Sequence, residues 1–250
     1  MEILIVVFLF ILGASLTSFY TVVGMRIPKN ESINGRSHCD YCKKTIPSYA
    51  LIPVFGYLFT KGRCPYCKNK VSVKYPIYEV IGGLLFGIGY IILGAYLPEY
   101  IVYVVMVSLL IIVTVSDIEY KIVPDVVLLT FLPILFVLRM VYPMTLWYEH
   151  VLGATLGFAF MYFIAWYGKK RFKRDALGGG DIKLYFLIGL FLGMQLVFLS
   201  LFFASILGII FGKVTMKKIN PSPFVPFIFG GVLLAYYIGP TLLQWYIGLF

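Results

Sequence analysis

Charge is scarce in this sequence. Asp, Glu, Lys and Arg make up only 13% of its 250 residues, 61% are hydrophobic, and the mean hydropathy is +0.93. A soluble globular domain carries about 25% charged residues, so an ordinary water-soluble enzyme is excluded, and so is a disordered chain, which needs low hydrophobicity. Histidine is almost missing, with only His38 and His150, and neither G-x-S-x-G nor H-E-x-x-H occurs. Serine-hydrolase and zincin chemistry therefore lack their residues. The phosphate-loop pattern G-x-x-x-x-G-K-[ST] is also absent. Four cysteines are too few for a disulfide scaffold. No internal repeat or low-complexity linker is evident.

Long apolar runs are what the sequence has in abundance. A bilayer core about 30 Å thick needs roughly 20 apolar residues as helix. That ruler places spans at about 3–23, 77–97, 101–116, 123–140, 151–167 and 227–247. The run 184–211 is too long for one crossing, and Gly193-Met194-Gln195 interrupts it, which predicts a short helix, a tight turn and a full helix. The total is eight spans, one of them short. The 21 Lys and Arg against 11 Asp and Glu test the count, because cytoplasmic loops hold the excess of cations. Residues 25–75 carry ten of them, from Arg26 to Lys74, and Lys121 lies in the third loop. Lys169, Lys170, Arg171, Lys173 and Arg174 fill the fifth loop, and Lys213, Lys217 and Lys218 the seventh. Even-numbered loops have none. The alternation puts the odd loops on the cytoplasmic side of a plasma membrane. Basic loops there sit beside anionic headgroups, and no nucleic-acid partner is expected.

All four cysteines fall in the first loop, as Cys39-Asp-Tyr-Cys42 and Cys64-Pro-Tyr-Cys67. Two C-x-x-C knuckles at this separation are the form of a four-thiolate zinc site, since each tight turn offers both sulfurs to one tetrahedral ion. An iron–sulfur centre or a redox pair are the other chemistries the spacing allows. A closed four-thiolate site leaves no position for water, so its expected role is structural. His38 adjoins Cys39 and could replace a ligand. Short strands and turns in a zinc-ribbon-like module suit these knuckles.

Acids at membrane depth are expensive and are functional candidates by default. Asp117 closes the third span, Asp125 follows Pro124 at the start of the fourth, and Asp181 follows Gly178, Gly179 and Gly180. Asp125 sits where a carboxylate caps or complements a helix dipole. A triple glycine beside a lone acid suggests that substrate backbone passes there or that the loop moves. Asp117 and Asp181, if brought together, could share one proton, so that the ionised member draws a proton from water while the other polarises a carbonyl. That is aspartic peptide hydrolysis. Transport of ions or protons through these acids, or a non-enzymatic scaffold with a zinc module, are the competing classes.

These residues resemble the bacterial type IV prepilin peptidases (prepilin leader peptidase/N-methyltransferase) over nearly the whole chain. The resemblance runs through Gly13–Phe19, Arg26-Ile-Pro28, Gly35-Arg36-Ser37, Leu51–Val54, Lys61–Cys64, Tyr75–Glu79, Asp117 with Val123-Pro124-Asp125, and Gly178–Lys183. It implies an all-α multi-pass membrane protein with a small cytoplasmic zinc module between its first two helices. The implied divisions are 1–24 as first helix, 25–75 as the four-cysteine module associated with methyl transfer, and 76–250 as the membrane peptidase domain. It also implies Asp117 and Asp181 as catalytic dyad, prepilins or pseudopilins as substrates cut after a leader glycine, S-adenosylmethionine as methyl donor, and Glu79 as a residue of the methyl-transfer site.

Overall fold

The computed structural model describes residues 2–94, 96–173, 177–216 and 223–248; Arg174, Lys217 and Lys218, three of the cations that orient the loops, lie outside the described residues. Eight α-helices make up the described chain: α1 (Glu2–Arg26), α2 (Phe55–Phe59), α3 (Lys74–Leu93), α4 (Leu97–Tyr120), α5 (Asp125–Val141), α6 (Trp147–Phe172), α7 (Gly179–Met216) and α8 (Val225–Ile247). Among the described residues there is no strand, only the isolated bridges His38–Thr45 and Arg63–Lys70 in place of the expected short strands. Hydrocarbon supplies no hydrogen-bond partners, so a chain this apolar satisfies its backbone within helices.

Six of the helices are long and apolar enough to cross a bilayer. The eight crossings read from the sequence differ in two ways. Helix α5 has 17 residues and falls just short, and α7 counts once although it contains a break. Unbroken, the 38 residues of α7 would rise about 57 Å, nearly twice a bilayer core. Gly193 breaks it with φ +80° and ψ 177°, a conformation essentially reserved for glycine. The chain reverses there: a Cβ on Gly157 of α6 would meet both Val197 Cγ2, at 2.9 Å, and the Tyr185 carbonyl oxygen, at 3.0 Å. Residues before and after Gly193 thus lie against one point of α6.

The first arm, Gly179–Leu192, rises only about 21 Å, so the reversal lies at a depth where its freed carbonyls need protein partners. His150 of α6, fully buried, provides one. Its Nδ1 lies 3.0 Å from the Leu190 oxygen, which can only accept, so Nδ1 carries the proton, and Nε2 accepts the Met144 N–H at 3.2 Å. Arg139, also fully buried, donates to the Tyr142 oxygen beyond the end of α5 and places its guanidinium 4.8 Å from the Phe191 ring centre.

The contacts fall into two compact units, Met1–Ile112 and Val113–Phe250. In the first, α1 and α3 approach closely. A Cβ on Gly83 would lie 2.8 Å from the Phe10 oxygen, and Thr17 occupies the space beside Gly82. Small residues of this kind drive helix association in lipid, where apolar burial gives no net gain. Tyr100 and Tyr103 of α4 donate to the Phe86 and Leu85 oxygens of α3 at 3.1 and 3.2 Å. In the second unit α6 packs on α7 backbone to backbone through Gly153, whose Cβ would lie 2.6 Å from the Gly189 oxygen.

Gly193→Ala should destabilise the protein by about 1–3 kcal/mol, because alanine cannot adopt this backbone without strain. Gly179→Ala, where φ is ordinary and nothing lies within 4 Å, should be near neutral. Thermal unfolding of both variants in detergent checks the contrast.

Candidate active site and metal centre

Helix α4 delivers Asp117 almost at its C-terminal end, 7% exposed. Its Oδ2 accepts the Val225 N–H at 2.9 Å, and the Phe224 N–H also points to it. The carboxylate therefore sits on the N-terminus of α8, where unpaired N–H groups and the helix dipole favour negative charge. The chain then turns. Buried Ser116 donates to the Ile122 oxygen at 2.5 Å, Lys121 takes φ 58°, and the turn carries the chain to Pro124 and α5.

Asp181 is the third residue of α7, and its N–H donates to the Gly178 oxygen at 3.1 Å. The three glycines before it differ in role. A Cβ on Gly180 would lie 2.6 Å from Val123 Cβ, so glycine there lets the start of α7 press against the turn after α4. On Gly178 a Cβ would lie 3.2 Å from Asp181 Oδ2, and Gly179 borders open space. None of the three has a positive φ, so the motif is used for close approach rather than for unusual backbone. As a result Asp117 and Asp181, 64 positions apart in sequence, lie near enough for the charge of one to act on the other.

Asp125 is not an N-cap. Pro124 holds that position with no side-chain cap bond, and both Asp125 oxygens take the Lys183 ammonium at 2.7 and 2.8 Å. Lys183, two residues past Asp181, was missed as a partner, as were the N–H groups of Phe224 and Val225. The proline at the first turn of α8, Pro226, was the available signal for that helix start.

In the other unit the four cysteine sulfurs all lie within 4.8 Å of one another. Cys39 and Cys67 are 3.7 Å apart and Cys42 and Cys64 3.9 Å apart. Four thiolates about 2.3 Å from a tetrahedral zinc ion would be separated by about 3.8 Å. The two knuckles fold alike. In each, the first cysteine's N–H bonds five residues on, to Lys44 or Asn69, and its oxygen accepts from Lys43 or Lys68. Those two lysines take left-handed φ values of 57° and 59°. The Cys67 and Tyr66 N–H groups hold the Cys64 thiol down to about 6. The Asn69 N–H favours the Cys67 thiolate, but burial and the neighbouring sulfurs outweigh it and push that thiol up to about 11. One sulfur gains at another's expense, a conflict that a divalent cation resolves. His38 is engaged through its backbone with Thr45 and stands outside the cluster.

Glu79 is 9% exposed in α3, and its Oε2 accepts the Val54 N–H at 2.7 Å. Val54 has φ 62°, an outlier for a β-branched residue. The carboxylate thus secures a strained turn at the start of α2.

Bundled helices of membrane-crossing length, with two carboxylates brought to one end of a unit, define a multi-pass membrane protein with a paired-acid site. Residues 11–93 match the Bacterial Peptidase A24 N-terminal domain and residues 104–213 the Type IV leader peptidase family. The chain is 39% identical to a Bacillus subtilis prepilin leader peptidase/N-methyltransferase over 245 residues, 96% of either chain. Similar proteins of that name in Myxococcus xanthus and Klebsiella pneumoniae are 34% and 32% identical. Those alignments cover 84% and 79% of this chain and 62% and 90% of the relatives. The chain belongs to the type IV prepilin leader peptidase family. No solved structure matches it.

Asp117→Leu should leave the first N–H groups of α8 without an acceptor and lower stability by about 1–3 kcal/mol, whereas Asp117→Asn, which keeps an oxygen there, should fold. Unfolding temperatures of the two variants in detergent, compared with wild type, test the capping role.

Proposed function

We propose that this protein is a membrane aspartic endopeptidase that removes the short basic leader of prepilin-like substrates at the cytoplasmic face, after a glycine, and that methylation of the new amino terminus follows, as the names of its relatives indicate. The observation that carries the peptidase reading is the approach of Asp117 and Asp181 permitted by Gly180 against Val123.

Two carboxylates at close range share one proton. The ionised acid takes a proton from water as the water oxygen bonds to the scissile carbonyl carbon, and the protonated acid gives its proton to the carbonyl oxygen. Collapse of the resulting diol breaks the C–N bond: the first acid gives its proton to the leaving amine while the second takes one diol hydroxyl proton as that oxygen becomes the new carbonyl, so the pair again holds one proton. The Val225 N–H holds Asp117 Oδ2 throughout, and the Phe224 N–H also points to the carboxyl group. Gly179, open on its outer side, leaves room for an extended backbone beside Asp181. The basic loops support a cytoplasmic side for the acids and for the cysteine module of a plasma-membrane protein. Transport is disfavoured because both acids sit at helix ends rather than at the midplane, where transporter sites lie.

Zinc fits the four cysteines by donor chemistry and spacing. It would fold the module without joining the reaction. S-adenosylmethionine does not fit the groove beside Glu79, whose walls are Val54, Tyr57, Leu58, Val73, Pro76, Ile77, Val80 and Ile81. Those apolar walls suit a charged amino-acid head poorly, and one oxygen of the Glu79 carboxylate is held by the Val54 N–H. Glu79 is best read as a positioning residue for this turn.

Purified wild type should cut a peptide with a leader and an apolar helix after the leader glycine. Asp117→Asn and Asp181→Asn, still folded, should each lose about 10²–10⁴-fold in rate. Equal cutting by all three would place the chemistry elsewhere, and no cutting by folded wild type would remove the peptidase reading. Asp125→Asn breaks an exposed ion pair worth at most about 1 kcal/mol and should lower activity far less than the dyad changes. Cys64→Ser should reduce zinc measured by atomic emission and lower the unfolding temperature; undiminished zinc would remove that assignment.

A further inference from the structure

The segment 48–59 lies between the first two spans, yet it is among the most apolar surfaces outside them. It consists of a 3-10 turn, Ser48–Leu51, a bend, and α2. Gly56 docks α2 onto the 3-10 turn, since a Cβ there would lie 2.6 Å from the Ala50 carbonyl carbon. The opposite side of α2 is left facing out. Phe55, Leu58 and Phe59 are 57%, 60% and 66% exposed, and Tyr49, Leu51 and Ile52 of the preceding turn and bend are exposed as well. The Phe55 and Phe59 rings stack 6.2 Å apart on that side. A loop bathed in water would not keep six large apolar side chains exposed within residues 48–59.

Its surroundings identify the occupant. The groove of about 350 Å³ between α2 and the start of α3 has Ile77 and Ile81 in its wall. These two begin a stripe of exposed residues on α3 that continues through Leu84, Ile88 and Ile91, at the i, i+4, i+7 spacing of a single helix face. That stripe belongs to a helix of membrane-spanning length, so it faces acyl chains. The apolar surface of 48–59 is therefore continuous with a lipid-facing one. Residues 55–74 hold five cations, Lys61, Arg63, Lys68, Lys70 and Lys74, and no acid. Cations beside an apolar element match the anionic headgroup layer, each being worth about 1 kcal/mol near such a surface.

We propose that residues 48–59 are a membrane-dipping element. The outer face of α2 enters the acyl-chain boundary of the cytoplasmic leaflet, lipid tails fill the groove against α3, and the cations of 61–74 rest on anionic headgroups. The strained Val54 turn, held by Glu79, sets the angle at which α2 leaves the bend and presents this face. The cysteine module, built on the flanking residues 39–67, would then be anchored to the bilayer surface as well as by its two helices.

The test uses the full chain with its three tryptophans, Trp147, Trp166 and Trp245, replaced by Phe and a single reporter introduced as Phe59→Trp. It is reconstituted into vesicles of phosphatidylcholine with phosphatidylglycerol. Blue-shifted emission, quenched several-fold more by brominated acyl chains than by aqueous iodide, is the expected result. Red-shifted emission quenched by iodide would overturn the proposal. Blue emission that brominated lipid does not touch would overturn it too, in favour of a covering protein surface, whether another part of the chain or a second copy. Where the reporter variant fails to fold, wild type in vesicles doped with a phospholipid carrying a photoreactive acyl chain supplies the second measurement. Label on peptides covering 48–59 supports the element, and label confined to the spanning helices excludes it. Neither readout depends on peptidase activity.

Discussion

Hydrocarbon offers no partner to a broken backbone, and the break in α7 answers that constraint with a device that recurs at a helix end and in the first loop. Where α7 breaks, a histidine from α6 takes the freed Leu190 carbonyl. Where α8 begins, its N–H groups are taken by Asp117. Where the chain makes the strained turn at Val54, Glu79 takes the N–H. In each case a side chain from another element completes a helix end or turn, so the polar groups that look exceptional in the composition are also the groups that lock elements together.

The same logic explains how two acids of distant segments can be brought to helix ends, the arrangement that the proposed dyad requires. One acid is presented by a helix C-terminus and immobilised by the N-terminus of a different helix. The other rides on a glycine segment able to come close. The glycines are unequal, with Gly180 set by a neighbour and Gly179 by open space, so one short motif both builds the site and leaves it approachable.

Much of this was legible in advance because it is written in local spacing. The C-x-x-C pairs specify tight knuckles, Gly178–Asp181 marks an acid at a helix start, and Gly193 within an overlong apolar run marks a reversal. What could not be read was long-range pairing. Asp125 looked like a cap because only its neighbours were visible, whereas its partner Lys183 is 58 positions away. Val225, the partner of Asp117, is 108 positions away and contributes a backbone group that carries no residue signature. Glu79 entered through the family resemblance, as a residue of methyl transfer, and its bond to the Val54 N–H, 25 positions away, carries no local signature either. The crossing count differs because α5, at 17 residues, falls just short of a span and because the two arms of α7, separated at Gly193, count as one helix.

That fold-back has a consequence for how the chain enters the bilayer during synthesis. The turn between the arms of α7, Gly193-Met194-Gln195, bears no charge to direct its transfer, and the first arm by itself is shorter than a bilayer core. The second arm, residues 194–216, rises about 35 Å and can cross by itself, so only the first arm lacks the length of an independent stop. The first arm is therefore held at depth by its packing on α6, where Gly153 lets the Gly189 carbonyl come close and His150 takes the Leu190 carbonyl.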